Sequence, residues 1–534
     1  MDRELSDSLS VLWRKDGWFR RRPASEKVSA LHTIARLGGP GQARTAFEFV
    51  FHREPEVANQ AAQTVRTLME KASHDDWRRL YGFFCFQHID LDPKKVRALS
   101  RFEAPVAVHL LGVATLNGNG FVREAALRLL GDLGDPVTIP YVMLRLADWV
   151  AQVRNVAKQL LPCLLETLTV SDMLRYRALV DGLARIERVD VSDLHGQILS
   201  RLRHPTLRPE LLRLLGEASP EARLFLWQGI EDEIRAGSDL IDRAIADPHV
   251  PIRMWIARTM PLGEAHLHRT VSLLKDKAYR VSLAVLDRMG DSVPEALHGI
   301  VCEMLFHKSR QIREMSRFLL RGEVEDFASV YRARLAESPP SETGTVAGLC
   351  ETGDASDVET IERLVEHPLS RIRAISIAGL HALGSERSRE YAIAGLKSPS
   401  SRVRRASVSL LGAVLDYDRR PELREILSNG SPEAQLAALR VLAQYRGLDV
   451  LEDLLTALAG CDEKVTGTAW KHLIAWHAKY STRPWLKMPE ETGTRIRELV
   501  SHHRAHGMPV PQSAATAWHD LPLLLDALEL SRLQ

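Results

Sequence analysis

Apolar and small side chains recur three and four residues apart along most of the chain. In the segment LSRIRAISIAGL the series is Ile372, Ile375, Ser376, Gly379 and Leu380. This spacing places its members on one face of an α-helix. Strict alternation of apolar and polar residues, which would indicate a half-buried strand, is missing over any useful length. The pattern therefore predicts an all-α chain.

One short pattern returns at a constant spacing of 31 residues. LSRIRAISIAGL (369–380) and SSRVRRASVSLL (400–411) both contain Ser-Arg, an aliphatic residue, Arg, and Ser three residues later. Two more steps of 31 residues reach SPEAQLAALRVL (431–442) and DEKVTGTAWKHL (462–473). Looser copies begin at Val122-Arg123, Val153-Arg154, Ile252-Arg253 and Ile312-Arg313. A fixed period of this size predicts a stack of repeated units.

Each unit is predicted to be a pair of helices, and the second helix begins at the aliphatic-Arg step. Proline follows a polar residue before many second helices, in the pairs Asp247-Pro248, His367-Pro368, Ser398-Pro399 and Ser431-Pro432. We interpret the Asp or Ser as an N-cap and the proline as a first-turn residue. Several second helices close on Leu-Gly, in Leu130-Gly131, Leu215-Gly216, Leu383-Gly384 and Leu411-Gly412. Glycine there suits the left-handed position after a helix end.

Paired helices of about 30 residues, with an Asp-Pro-like turn and an aliphatic-Arg-x-x-Ala start, resemble HEAT repeats. The short, regular form is similar to the bacterial HEAT-like type first described in phycobilin lyases. The resemblance implies a right-handed α-solenoid of stacked antiparallel helix pairs. We expect an N-terminal helical cap over 1–50 and a repeat array over 51–480, irregular at 160–245 and 336–350. Residues 481–534 would then form a C-terminal cap with a linker and a terminal helix.

The resemblance also implies a structural role for the arginine at the start of each second helix. In such repeats it commonly meets an acidic residue at the position six residues earlier, in its own or a neighbouring repeat, and Asp148 with Arg154 and Asp247 with Arg253 match this spacing. Other units carry Asn117, His307, His367, Ser398 and Asn429 at the earlier position, and His52 precedes a unit that lacks the arginine. We interpret these histidines as turn residues and not as metal ligands. The predicted structural arginines are Arg123, Arg154, Arg253, Arg313, Arg373 and Arg404.

Three arginines beside this frame, Arg371, Arg402 and Arg405, are the first candidates for contact with a partner. Two residues before the frame arginine, successive units carry Gln311, Arg371, Arg402, Glu433 and Lys464. A nucleic-acid groove should keep one sign of charge along such a row. The change of sign at Glu433 therefore disfavours a long groove and permits a small patch for an acidic partner.

Two further candidates lie near the ends of the chain. WRKDGWFRRRP (13–23) mixes aromatic residues with Arg20, Arg21 and Arg22, and could contact an acidic protein, nucleic acid or anionic lipid. A basic helix end on the solvated surface is the favoured interpretation of this run. Trp485 follows a proline in a predicted loop and is the best candidate for an exposed aromatic contact.

Composition narrows the class of protein only a little. The 534 residues are 45% hydrophobic and carry a formal net charge of +2, so nucleic-acid binding would need a local basic patch. The five cysteines form no CxxC pair, which fits a reducing compartment. The N-terminus MDRELSDSLS lacks the pattern of a signal peptide, and VAVHLLGVATL (106–116) is too short to span a bilayer. We expect a cytoplasmic protein with no transmembrane segment.

Motifs that carry chemistry do not stand out. The sequence has no P-loop, no GxGxxG after a strand and no GxSxG. None of the 20 histidines is followed by Glu, unlike the His-Glu ligands of the di-iron HEAT-type hydroxylases. The string SHHRAHG places His502 and His506 on one helix face beside His503, but no third metal ligand is identifiable. We predict no catalytic residue, cofactor or bound metal.

The repeat and the missing motifs together favour a non-enzymatic scaffold or adaptor that binds a protein on the concave face of the solenoid. Nucleic-acid binding or DNA repair on a concave basic face is the first alternative. Regulation or chaperoning of a partner enzyme is the second.

Overall fold

A computed structural model describes most of the chain. The described residues are 3–13, 23–73, 76–77, 79, 89–183, 191–290, 293–337, 342–445, 449–460, 462–480 and 490–530. Every regular element within these ranges is a helix. In the same ranges, no helix combines the length and the apolar character needed to cross a membrane.

The chain divides into two compact units at Pro261, and the first unit spans Met1–Pro261. Its helices are short, and most are joined in pairs by tight turns. They are Arg3–Trp13, Ala24–Leu37, Ala43–Phe47, Pro55–Glu70, Pro93–Ala98, Ala104–Ala114, Gly120–Leu133, Ile139–Arg145, Ala151–Glu166, Val170–Leu183, Val191–Leu202, Arg208–Leu214, Pro220–Gly229, Glu231–Arg235, Leu240–Ile245 and Val250–Thr259.

The second unit, Leu262–Gln534, repeats the same plan more regularly. Its helices are Leu267–Leu274, Tyr279–Leu286, Glu295–Met304, Arg310–Leu319, Phe327–Glu337, Thr343–Thr352, Val358–Glu362, Ser370–Ala382, Ser388–Leu396, Ser401–Val414, Arg420–Asn429, Pro432–Leu442, Asp449–Leu458, Glu463–Tyr480, Glu490–Ala505 and Ala515–Leu530. The four helices that begin at Ser370, Ser401, Pro432 and Glu463 are called the second helices below.

Successive second helices lie side by side, and a first helix packs beside each of them. Buried side chains from both kinds of helix form a continuous core between residues 374 and 525. Each helix buries only one stripe, so neighbouring pairs must stack to keep the apolar face from water. Each of the two compact units is thus a stack of antiparallel helix pairs. The prediction of an all-α solenoid is confirmed.

In most repeats the N-cap of the second of the two paired helices is not the predicted residue. At Ser431 the prediction is correct, because its hydroxyl accepts the Ala434 N–H and proline occupies the first turn. In the turns at Asp247 and Ser398 the N-cap lies two residues later than predicted. The polar side chain instead accepts the N–H of that later residue, as His367 also does in its own turn, and this bond stabilises the turn before the helix starts.

The Leu-Gly pairs serve two different purposes. Gly384 follows its helix with φ +80°, which is the predicted left-handed position. Gly131 and Gly412, in contrast, lie inside their helices, so that part of the prediction is wrong. A Cβ atom on Gly412 would lie 2.4 Å from Gln444 Oε1, and one on Gly131 would lie 2.3 Å from Leu160 Cδ2. These two glycines allow side chains of the next repeat to approach closely.

We expect Ser376→Ala and Ser407→Ala to raise the free energy of unfolding by about 1 kcal/mol each, because a buried hydroxyl without a partner is costly. Both side chains are fully buried and neither hydroxyl has a hydrogen-bond partner. Other repeats carry Ala126, Ala157, Ala438 and Ala469 at this position. Urea denaturation measures the change, with the exposed Ser409→Ala as a control expected to alter stability by less than about 0.5 kcal/mol. A loss of stability in both buried variants would contradict the prediction.

Candidate functional site

The frame arginines all make the same bond to the turn that precedes their helix. In each case Nη1 donates to the main-chain carbonyl six residues earlier. The distances are 2.9 Å for Arg123, 2.7 Å for Arg154, 2.8 Å for Arg253, 2.6 Å for Arg313, 2.8 Å for Arg373 and 2.7 Å for Arg404. The bond needs only the main chain, so the residue at the earlier position is free to vary between repeats.

The side chains at that earlier position have a second task. Each accepts the main-chain N–H two residues later and so fixes the turn. The acceptors are Asn117, Asp148, Asp247, His307, His367 and Ser398, and His52 does the same in the unit without a frame arginine. The histidines accept through Nδ1, which places them in the turn. Burial, followed by the charge of Lys308, lowers the pKa of His307, which favours the neutral form that can accept this bond.

The acidic residues pair with the previous repeat and not with their own frame arginine. Asp148 receives two bonds from Arg123, at 2.8 and 2.7 Å, and a third from Arg145 at 2.9 Å. Arg154 reaches only the carbonyl of Asp148. All three side chains of this cluster are about 1% exposed. Burial acts to raise the pKa of Asp148, but the bonds from Arg123 and the charge of Arg145 hold it below its usual value.

Arg223 belongs to the same frame and was missed by the sequence analysis. Its guanidinium makes two bonds to Asp247, at 2.9 and 3.0 Å, and a third to the Ala218 carbonyl at 3.0 Å. It therefore links two repeats as Arg123 does. Its position 30 residues before Arg253 could have identified it, since 253 − 223 = 30.

The contact candidates Arg371, Arg402 and Arg405 lie on the outer side of the second helices. All three are exposed, whereas Arg373 and Arg404 are half-buried between them. Arg405 Nε reaches only the Ser401 carbonyl, at 3.3 Å. The exposed polar positions of this side are called the second-helix face, and its members are Arg371, Arg402, Arg405, Ser409, Glu433, Arg440, Lys464 and Lys471.

Charge is balanced very differently around the first helices of the same repeats, which are Val358–Glu362, Ser388–Leu396, Arg420–Asn429 and Asp449–Leu458. Five arginines on these helices or in the turns that adjoin them, which are counted with them below, pair with carboxylates. Arg389 lies 3.1 Å from Asp416, Arg419 lies 2.7 Å from Glu422, Arg424 lies 2.7 Å from Glu452, Arg387 lies 3.6 Å from Glu362, and Arg363 pairs with Glu359. On the second-helix face, Arg402, Arg405, Arg440, Lys464 and Lys471 have no carboxylate partner among the described residues. Basic side chains are thus left available on one side of the stack.

Comparison with known families agrees with this geometry. Residues 389–471 match the family model described as HEAT repeats. This segment of the chain consists of HEAT repeats. The matched segment covers the second helices Ser401–Val414 and Pro432–Leu442 and the first half of Glu463–Tyr480.

Solved structures similar to this chain include Kap95p with RanGDP, Kap121p, and Kap121p bound to RanGTP. Their sequence identities are 10%, 13% and 13%, and their TM-scores are 0.32, 0.23 and 0.25. The alignments cover 99%, 98% and 99% of this chain. The chain spans 67% of Kap95p and 54% of Kap121p, or 53% of Kap121p in its RanGTP complex. No curated protein sequence matches it.

Two sets of predicted contact residues cannot be placed. Arg20, Arg21 and Arg22 lie outside the described residues, and so does Trp485. They stay predictions from the sequence.

The histidine string near the C-terminus is divided between core and surface. His503 is buried, and its Nε2 donates to the Leu455 carbonyl at 2.8 Å. The rings of His502 and His506 lie 4.1 Å apart between centroids, and His506 Nδ1 lies 2.8 Å from the His502 carbonyl oxygen. Within the described ranges, no group of three metal-ligating side chains forms around them.

One cysteine of this HEAT array lies beside a histidine and a glutamate. Cys302 Sγ lies 3.7 Å from Nδ1 and 3.9 Å from Nε2 of His298, whose Nε2 is 2.5 Å from Glu323. The sulfur is almost equally far from both nitrogens, so it does not point along the lone pair of either. Burial and the charges of Glu323 and Glu303 raise the pKa of the Cys302 thiol. A nucleophilic cysteine requires the opposite shift.

Proposed function

We propose that this chain is a non-enzymatic scaffold or adaptor, and that its second-helix face binds an acidic region of a protein partner. One observation carries the proposal, which is the contrast in charge pairing between the two sides of the same repeats. Arginines on the first helices pair with carboxylates, whereas five bases of the second-helix face have no carboxylate partner in the part of the chain that the structure describes: Arg402, Arg405, Arg440, Lys464 and Lys471.

Unpaired bases on a rigid surface favour a partner of opposite charge. Complementary charge guides encounter and selects the partner, although each exposed pair adds little affinity by itself. Several bases at repeated positions can act together, because the stacked helices fix the spacing of the main-chain positions that carry them. Glu433 interrupts the positive row, which favours an acidic protein segment over the uniform charge of a nucleic-acid backbone.

The frame arginines are poor candidates for this role. Arg373 and Arg404 direct their guanidinium groups at main-chain carbonyls of their own turns. Their loss would weaken the repeat before it changed the surface. The second-helix face can therefore be altered separately from the fold.

A matched pair of variants tests the proposal. The first carries Arg371→Gln, Arg402→Gln and Arg405→Gln, and the second carries Arg363→Gln, Arg389→Gln and Arg419→Gln on the first helices. Both remove three positive charges. The exposed ion pairs that the second variant loses contribute only about 0–1 kcal/mol each to the free energy of unfolding. Each immobilised protein is used to capture proteins from nuclease-treated and untreated cell extract, and the captured material is identified by mass spectrometry.

We expect the first variant to lose acidic proteins that the wild type and the second variant both retain, and we expect nuclease to leave that set unchanged. Capture of the same set by all three proteins would contradict the proposal, and so would capture of nothing by the wild type. Binding that disappears with nuclease would show that nucleic acid is the partner instead.

A further inference from the structure

The second-helix face contains a row of charges whose order is specific to this chain. Arg371, Arg402, Glu433 and Lys464 occupy the same repeat position, and consecutive members are 31 residues apart. All four side chains are exposed. The row therefore presents charges in the order plus, plus, minus, plus across four adjacent helices.

The spacing of this row is set by helix packing. Each second helix contacts the next one directly. Packed helices have axes about 8–10 Å apart, so equivalent side chains recur at about that interval.

An extended peptide could follow the row in two conformations. In only one of them do side chains return to the same face at the interval between second helices. A β-strand returns to the same face every two residues, which is about 6.6–6.8 Å. A polyproline II helix returns every three residues at a rise of about 3.1 Å, which gives about 9.3 Å. This value falls within the interval between second helices, and the strand value does not.

We propose that the second-helix face recognises an acidic segment in the polyproline II conformation, with charged side chains at every third residue. The segment carries acid, acid, base and acid at its first, fourth, seventh and tenth positions, opposite Arg371, Arg402, Glu433 and Lys464. This inference rests on the proposed function, because it specifies the partner of the same face.

A second set of exposed residues lies two helical turns further along each second helix, beside the row. Two of its members are basic and widen the positive surface at one end of the row. Seven residues after each member of the row stand Ala378, Ser409, Arg440 and Lys471, all exposed. The two bases belong to the repeats of Glu433 and Lys464.

Labelled ten-residue peptides provide the test, with binding measured by fluorescence anisotropy at low and high salt. The matched peptide has Glu at positions 1, 4 and 10 and Lys at 7, separated by Pro and Ala. A second peptide has the same composition with its charges at every second position, and a third has Glu in place of Lys at 7. Each is made in both chain directions, because the row does not define the direction of the segment.

We expect the wild-type chain to bind the matched peptide, in its better direction, about threefold to tenfold more tightly than the other two. We expect Glu433→Lys to prefer the third peptide by a similar factor, since exposed pairs contribute about 0.2–1 kcal/mol each and reversal changes attraction to repulsion. Salt should weaken all of these interactions, because the charges are exposed.

The possible failures have different meanings. Equal binding of all three peptides, or no switch in Glu433→Lys, would overturn the spacing inference. If the variant with Arg371→Gln, Arg402→Gln and Arg405→Gln still bound all three peptides more weakly than the wild type, the proposed function would stand. If no acidic peptide bound more tightly than an uncharged one, or if a ten-residue oligo-dT bound more tightly than every peptide, both would fail.

Discussion

Replacing Asp148 with alanine should lower the free energy of unfolding of the first unit by about 3–5 kcal/mol, which is typical when one partner of a buried ion pair is removed. The carboxylate receives two bonds from Arg123 and one from Arg145, and these side chains are about 1% exposed. Without it, the buried guanidinium of Arg123 loses its counter-charge, and Arg145 loses its bond to the same carboxylate. The turn also loses the bond from the Val150 N–H.

Urea denaturation gives the change in free energy, and hydrogen exchange of peptides from 104–166 shows where protection is lost. Asp132→Ala is the control, because Asp132 is exposed on the same helix as Arg123 and should alter stability by less than about 0.5 kcal/mol. Asp148→Asn keeps an acceptor for the turn and should fall between the two. Equal stability of Asp148→Ala and Asp132→Ala would show that the buried cluster does not hold these repeats together.

Acid should destabilise the first unit through His109, and the loss should reach about 3 kcal/mol. Burial lowers the pKa of His109 from 6.5 to about 4, although the charge of Glu70 acts in the opposite direction. Its Nδ1 lies 3.1 Å from the Tyr141 hydroxyl, inside the core. The unfolded chain therefore binds a proton at pH values where the folded chain does not.

The direction of this effect follows from proton binding. The contribution is absent above pH 6.5, where both states are neutral at this position, and grows as the pH falls to about 4. Below that value both states are protonated and the contribution stops changing. Urea denaturation from pH 7 to pH 4 should show that His109→Gln has a flatter profile than the wild type. Parallel profiles would contradict the assignment.

The fold was largely predictable because each repeat is defined by residues that lie close together in the sequence. The aliphatic-Arg step identified the second helices that begin at Ser370 and Ser401. The pattern could not distinguish a glycine that ends a helix from one that admits a neighbouring side chain, and Gly412 was misread for that reason. The unit of Arg223 was missed because the registration of repeats was lost between 160 and 245.

The candidate site was less predictable, since charge pairing depends on contacts between repeats. Arg389 and Arg405 are both arginines on helices of the same array, yet only Arg389 has a carboxylate beside it. Likewise, the sequence left open whether Asp148 binds the arginine of its own repeat or of a neighbouring one, and in the structure its carboxylate binds Arg123 of the previous repeat. A resemblance to HEAT repeats identifies the position of an arginine but not its partner.

The account rests on dividing the arginines of one helix into those that hold the repeat and those that face a partner. Arg402 and Arg404 lie two residues apart on Ser401–Val414, and both can be changed to alanine with the same effect on helix propensity. Arg404 Nη1 donates to the carbonyls of Ser398 and Pro399, at 2.7 and 2.9 Å, whereas Arg402 is exposed.

Hydrogen exchange of the segment 398–414 compares the two variants most directly. We expect Arg404→Ala to lose about fivefold to thirtyfold in amide protection, which corresponds to about 1–2 kcal/mol for two charge-assisted bonds. We expect Arg402→Ala to match the wild type within about twofold, as a surface change should. Equal loss in both variants, or loss only in Arg402→Ala, would contradict the division between frame and contact residues.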